Sequence, residues 1–173
     1  MAHSILVLGG ARSGKSRHAE HLGEAHAGPR VYLATAEPGD AEMAQRIAIH
    51  KARRGTAWET VEEPLELVAA LRSVCKRQTF VLVDCITLWL SNLMHAGRNI
   101  GEEVALLCDA LHTLPGTICL VSNEVGLGIV PETPMGRCFR DEAGMANQLL
   151  AQTVDEAVFM VAGLPMRLKP SAC

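Results

Sequence analysis

The chain has 173 residues, with 16 Lys and Arg against 19 Asp and Glu, a formal charge of −3. That length fits one domain of ordinary size, and the weakly acidic balance argues against a non-specific hold on nucleic acid or on an anionic membrane. Aromatics are scarce (Phe 3, Trp 2, Tyr 1), too few for a base-stacking surface, while 49% hydrophobic residues supply an aliphatic core suited to a parallel sheet covered by helices.

Ser4 to Leu8 is a short apolar strand ending in Gly9-Gly10. Ser16 to Ala27 reads as a helix stopped by Gly28-Pro29, and Arg30 to Thr35 as a second strand. Asp40 caps a helix running to about Arg54, Trp58 to Val61 is a short strand, and Pro64 opens a helix to about Lys76. Thr79 to Asp84 is the most apolar strand, followed by a helix from Ile86 to Ala96 and another from Glu102 to Leu114. Thr117 to Ser122 is a further strand, Asn123 to Met135 a loop rich in Gly and Pro, and Arg137 to Thr153 a long helix. Ala157 to Ala162 is a strand, with one more from Met166 to Lys169 after a turn at Gly163-Leu164-Pro165. Strands alternating with helices predict an α/β fold, a mostly parallel sheet with helices on both faces, in a single domain spanning 1–173. Trp89, Leu90, Leu93 and Met94 form an apolar stretch suited to a subunit contact.

The six cysteines, Cys75, Cys85, Cys108, Cys119, Cys138 and Cys173, form no Cys-x-x-Cys pair and read as reduced thiols rather than metal ligands. The start lacks the pattern of a signal peptide, and no apolar run is long enough for a membrane span, so the expected compartment is the cytoplasm.

Gly9-Gly10-Ala11-Arg12-Ser13-Gly14-Lys15-Ser16 matches Gly-x-x-x-x-Gly-Lys-Ser between a strand and a helix. Small residues let the backbone wrap an anion with its N–H groups turned inward, and the helix adds its positive end. Lys15 neutralises the outer phosphates and the Ser16 hydroxyl suits Mg²⁺, so a nucleoside triphosphate is expected here. Asp84 ends an apolar strand, where an acid holds Mg²⁺ directly or through water, or else caps the next helix. Glu124, after another strand, reads either as an acid that positions a hydroxyl or Mg²⁺ or as a solvated loop residue.

His50 follows Arg46 by four residues and precedes Lys51, Arg53 and Arg54. On a helix these cations surround the imidazole and favour its neutral, nucleophilic form. His50 could then attack a nucleoside triphosphate and hold a nucleotidyl group as a phosphoramidate. The same spacing also fits a half-buried histidine that shares a face with Met43 and Ile47 beside a solvated basic stretch.

The blocks Gly9 to Arg17, Tyr32 to Ala36, Asp40 to Met43 with Arg46-Ile47 and His50-Lys51, Ser122 to Glu132, Phe139-Arg140-Asp141 and Asn147-Gln148 resemble, in order and over nearly the whole chain, the bifunctional adenosylcobinamide kinase / adenosylcobinamide-phosphate guanylyltransferase family. The resemblance implies a RecA-like P-loop fold and two reactions of cobalamin assembly. The aminopropanol hydroxyl of adenosylcobinamide is phosphorylated from ATP or GTP. GTP then gives GMP to a histidine, matching His50, and adenosylcobinamide phosphate takes it to form adenosylcobinamide-GDP. Implied nucleotide contacts are Gly9 to Ser16, Ala34, Thr35, Ala36, Lys51, Ala52, Arg53, Arg54, Glu62 (with Glu63 adjacent) and Asp84. The resemblance further implies Mg²⁺ and a homotrimer. The residues alone leave two other readings open: a P-loop small-molecule kinase without guanylyl transfer, and a nucleotide-driven motor or switch, which the charge and the few aromatics disfavour.

Overall fold

The computed structural model describes residues 3–36 and 57–169. The predicted helix from Asp40 to Arg54 lies outside them, as do His50, Lys51, Ala52, Arg53 and Arg54. In chain order the elements are β1 (His3–Gly9), α1 (Lys15–Glu24), β2 (Arg30–Ala34), β3 (Glu59–Glu62), α2 (Leu67–Val74) and β4 (Phe80–Asp84). Then come α3 (Ile86–His95), α4 (Ile100–Leu111), β5 (Thr117–Asn123), α5 (Pro134–Thr153), β6 (Glu156–Val161) and β7 (Leu164–Lys169).

The seven strands form one sheet in the order β3-β2-β4-β5-β1-β6-β7. Every pairing is parallel except the last, where β7 returns antiparallel to β6. Strand alternation splits the core in two. Leu6, Leu8, Val31, Leu33, Val81, Val83, Ile118 and Leu120 face α2 to α5. Ile5, Val7, Tyr32, Ala34, Phe80, Leu82, Cys119 and Val121 face the side carrying α1, where Ala19 packs. The strands at the centre are therefore apolar on both faces, as parallel strands under helices must be.

Several element ends differ from the sequence expectation. α1 stops at Glu24 rather than Ala27: Ala25 N–H still makes the helical bond to His21 O, but His26 N–H bonds Gly23 O, a tight turn that leads into β2. Pro64 does not open α2. Glu63 Oε1 accepts from the N–H groups of Leu65 and Glu66 at 3.0 and 2.9 Å, and the helix begins only at Leu67. α4 starts early, at Ile100, because Asn99 is its cap and accepts from Glu102 N–H at 3.2 Å. It ends at Leu111, where Thr113 N–H turns back to Ala110 O. Pro134 belongs to α5, at its first turn, behind the Thr133 cap. The last hairpin turns at Ala162-Gly163, both at positive φ, which leaves Leu164 and Pro165 in β7. Trp89, Leu90 and Leu93 are fully buried in the core, with Trp89 Nε1–H donating to Leu65 O at 2.8 Å. These three offer no subunit surface, and Met94, the fourth residue of the stretch, is half-buried and packs against the same core.

The β1 and β6 ends are tied by a polar staple. Asp155 Oδ2 accepts from Ser4 N–H and Ser4 Oγ–H, both at 2.8 Å, while Ser4 is itself buried. Burial tends to raise the Asp155 carboxyl, but the two Ser4 bonds and His3 outweigh it and hold it below the ordinary aspartate value. A group depressed in the folded state contributes stability above its unfolded value and loses it as pH falls through the folded one. The melting temperature of the wild type is therefore expected to fall more steeply below about pH 4 than that of Asp155→Asn, which keeps the acceptor but cannot titrate. Parallel curves from pH 7 to pH 3 would remove Asp155 from the acid response.

Candidate active site

β1 delivers the chain to the carboxyl edge of the sheet at Gly9, and the turn to α1 follows without a side-chain cap. Gly14 occupies the cap position in left-handed conformation (φ 98°), so the first N–H groups of α1 stay available to an anion. Gly9 also has a positive φ (153°), and a Cβ there would sit 2.6 Å from Ser13 Oγ and 2.7 Å from Met160 O. No larger residue closes this loop without moving β6. The turn is pinned by Ser13 N–H to Gly10 O at 3.3 Å and Gly163 N–H to Ser13 O at 3.0 Å. Ser13 Oγ is buried without a hydrogen-bond partner among the described residues.

Lys15 is only 7% exposed, and its Nζ donates to Gly10 O at 2.6 Å. Burial holds this ammonium below the ordinary lysine value, with the Asp84 carboxylate pulling the other way. Asp84 ends β4, and Tyr32 Oη–H donates to its Oδ2 at 3.0 Å. Burial pushes the Cys85 thiol up to about 12, so it is neutral under the loop. Among the described residues, no group of three His, Cys, Asp or Glu side chains lies close enough to hold a metal alone. Ser16, half-buried in the first turn of α1, and Asp84 are hard oxygen donors, a set that fits Mg²⁺ brought in on phosphates.

The structure brings Gly9 to Ser16, Ala34 to Ala36, Glu62 and Asp84 to one sheet edge. Ala34 pairs with both Glu62 and Asp84 in register. Thr35 is fully buried. Its hydroxyl donates to Cys85 O at 2.7 Å and accepts from Cys85 N–H at 2.9 Å, so it clamps β2 to the strand end that carries Asp84. Asn92 Nδ2–H secures the same turn through Thr35 O at 2.8 Å and Pro64 O at 3.0 Å. Of the two neighbouring acids, Glu63 is committed to the turn before α2, whereas Glu62 is exposed at the edge. Glu124 Oε1 accepts from Gly126 N–H at 2.5 Å, which folds its own loop.

Sequence reasoning missed two parts of this site. Tyr32 is an apolar-strand residue by pattern, and only its two-residue spacing from Ala34 hints that it faces the same side as Asp84. Ser122, Asn123 and Asn147 lie in blocks that carry the family resemblance, but their residue types alone give them no role, and Thr87 lies in no such block.

A strand, a glycine-rich loop with a buried lysine, and a strand-end acid on a parallel sheet define a P-loop nucleotide-binding protein, here of RecA-like type. Fold likeness agrees: the flagellar accessory protein FlaH from Methanocaldococcus jannaschii superimposes with a TM-score of 0.56 at 13% identity, over 98% of this chain and 79% of that one. A prototypical ATPase from the type III secretion system of pathogenic bacteria gives 0.57 at 10% identity, over 92% and 51%. The chain belongs to the family described as cobinamide kinase / cobinamide phosphate guanyltransferase, which matches residues 5–168. It is 54% identical over 168 residues to the bifunctional adenosylcobalamin biosynthesis protein CobP of Pseudomonas aeruginosa, covering 95% of this chain and 96% of that protein. It is 42% identical to the bifunctional adenosylcobalamin biosynthesis protein CobU of Salmonella typhimurium, covering 95% and 99%.

Thr35→Val is expected to leave the buried Cys85 N–H without a partner, while Cys85 O keeps its bond from Trp89 N–H, and to lower stability by about 1–3 kcal/mol, with Thr35→Ser near wild type in urea unfolding. Equal stability in the two variants would show that the clamp contributes nothing.

Proposed function

We propose that Lys15, Ser16 and Asp84 serve the phosphoryl transfer and His50 the guanylyl transfer, on ATP or GTP held by the loop from Gly9 to Ser16. The chain is a cobinamide kinase and cobinamide-phosphate guanylyltransferase of adenosylcobalamin biosynthesis. The observation that carries the residue assignment is the buried Lys15 between the loop carbonyl of Gly10 and the strand-end Asp84, in a chain that matches the family across His50.

In the first reaction the terminal hydroxyl of the aminopropanol arm of adenosylcobinamide takes the γ-phosphoryl group. Lys15 and the loop N–H groups stabilise the charge that moves onto the leaving nucleoside diphosphate. Magnesium, when bound, neutralises charge on the outer phosphates, and Ser16 and Asp84 are the side chains suited to it. In the second reaction neutral His50 forms a bond to the α-phosphorus of GTP and pyrophosphate leaves. An oxygen of adenosylcobinamide phosphate then displaces the imidazole to give adenosylcobinamide-GDP. In this reading Lys51, Arg53 and Arg54 are the cations that would favour attack at that phosphorus, with Ala52 a further nucleotide contact, and Ala34 to Ala36 and Glu62 border the nucleotide.

Residues 1–173 act as one unit in the cytoplasm in this reading, as a homotrimer. No helix among the described residues is long and apolar enough to cross a membrane. Leu164, Met166 and Leu168 of β7 are 72%, 51% and 53% exposed on an edge strand, a surface that a further chain would cover.

Lys15→Ala is expected to lower kcat/KM for phosphorylation by about 10²–10³-fold. His50→Ala is expected to keep that reaction and lose label transfer from α-labelled GTP to protein. The wild-type adduct should be lost in cold acid and survive mild alkali, as a phosphorus–nitrogen bond does, when followed by mass spectrometry. Labelling of His50→Ala would move the nucleophile elsewhere, and an unlabelled wild type would leave a kinase alone.

A further inference from the structure

Three buried polar side chains from three elements converge on one main-chain unit. Ser122 Oγ–H donates to Asn147 Oδ1 at 2.7 Å, and Thr87 Oγ1 lies 3.4 Å from Ser122 Oγ. The ends of this chain both fall on Asn123: Thr87 Oγ1 accepts from Asn123 N–H at 2.7 Å, and Asn147 Nδ2–H donates to Asn123 O at 3.2 Å. Thr87, Ser122 and Asn147 are each less than a tenth exposed. Burying three polar groups costs free energy that apolar residues would not, and what the network gains is a fixed backbone at Asn123.

That backbone sits at the reacting edge. Asn123 pairs in register with Gly9, the first residue of the phosphate loop, and Glu124 N–H bonds Gly9 O at 3.0 Å. Its side chain follows the alternation of Cys119 and Val121 onto the α1 face, the face shared by Leu82 and, two residues on, Asp84. Ser122, one residue back, turns to the other face, where it joins the network. The half-buried Asn123 carboxamide has no hydrogen bond within the described residues. A neutral amide between a lysine-bearing loop and a carboxylate adds a donor without repelling phosphate.

We propose that Asn123 is a catalytic residue of the phosphoryl transfer, its carboxamide N–H donating to an equatorial oxygen of the γ-phosphoryl group in transit, with Thr87, Ser122 and Asn147 as positioning residues that hold it there. The inference rests on the kinase reading above. In the step, the acceptor hydroxyl oxygen bonds to the γ-phosphorus and the bond from that phosphorus to the β–γ bridging oxygen breaks. The electron pair stays on the nucleoside diphosphate, and the hydroxyl proton passes to water. Asn123 exchanges no proton. A donor that acts only on charge spreading over the equatorial oxygens changes kcat and not ground-state binding.

The test uses the full chain with Mg²⁺, ATP and adenosylcobinamide. Asn123→Ala is expected to lower kcat at least 100-fold, with KM for ATP within threefold of wild type and an unchanged melting temperature. Asn123→Asp keeps size and main-chain bonds but replaces the donor with a charge, and should lose at least as much, so a poorly folded alanine variant does not spare the idea. Thr87→Val should lower kcat about tenfold at constant KM, and Thr87→Ser should restore it, a split that loss of packing alone would not give. A kcat within threefold of wild type in Asn123→Ala or Asn123→Asp, or a loss confined to KM, overturns the proposal. A wild-type chain that fails to phosphorylate adenosylcobinamide overturns the kinase reading instead.

Discussion

The close approach of two backbones at Gly9 is the constraint on which the site depends. β1 must end where β6 is near enough that a Cβ on Gly9 would meet Met160 O at 2.7 Å, and the chain must then reverse into α1 within five residues. This places the first turn of α1 over the edges of β1, β5 and β4 rather than beyond them. The N–H groups at that end, the Lys15 ammonium and the Asp84 carboxylate then share one small volume. A wider turn would leave the same residue types in the sequence and no cradle between them.

Holding Lys15 there has a cost that the surroundings offset. An ammonium that is 7% exposed loses most of its hydration, which is why its proton is held less tightly than usual. Gly10 O accepts from it and Asp84 supplies opposite charge, while the Cys85 thiol under the loop stays neutral and contributes no competing anion. Incoming phosphate answers the same need more fully. The site is thus built so that ligand charge completes it, and the clamp of Thr35 on Cys85 keeps the Asp84 strand end from drifting while that happens.

What the sequence made legible follows from the range of the interactions involved. The phosphate loop is a contiguous motif whose chemistry depends on neighbours in the chain, so Gly9 to Ser16 could be read directly, and the apolar strands likewise, since burial on both faces leaves an unbroken run. Helix ends were harder where a side chain several residues away decided them, as Glu63 does before α2 and Asn99 before α4. Thr35 and Asn147 were harder still, because their partners lie 50 and 24 residues away and nothing local marks a buried hydroxyl as a clamp. Trp89, Leu90 and Leu93 misled for the converse reason: an apolar stretch looks the same whether it meets another subunit or its own core.

The strand order carries a last step of argument. β5 lies between the strand that ends in the phosphate loop and the strand that ends in Asp84. Whatever residue closes β5 on the α1 face therefore stands between the cation and the anion of the site. A charge of either sign there would upset one of them, and an apolar residue would leave phosphate oxygens facing nothing. A carboxamide on a backbone fixed from both sides meets the requirement, and the buried hydroxyls beneath it cannot turn toward phosphate themselves, because their own bonds already run to Asn147 and to the Asn123 main chain. The division is sharp: charge arrives from the loop and from β4, while β5 contributes orientation.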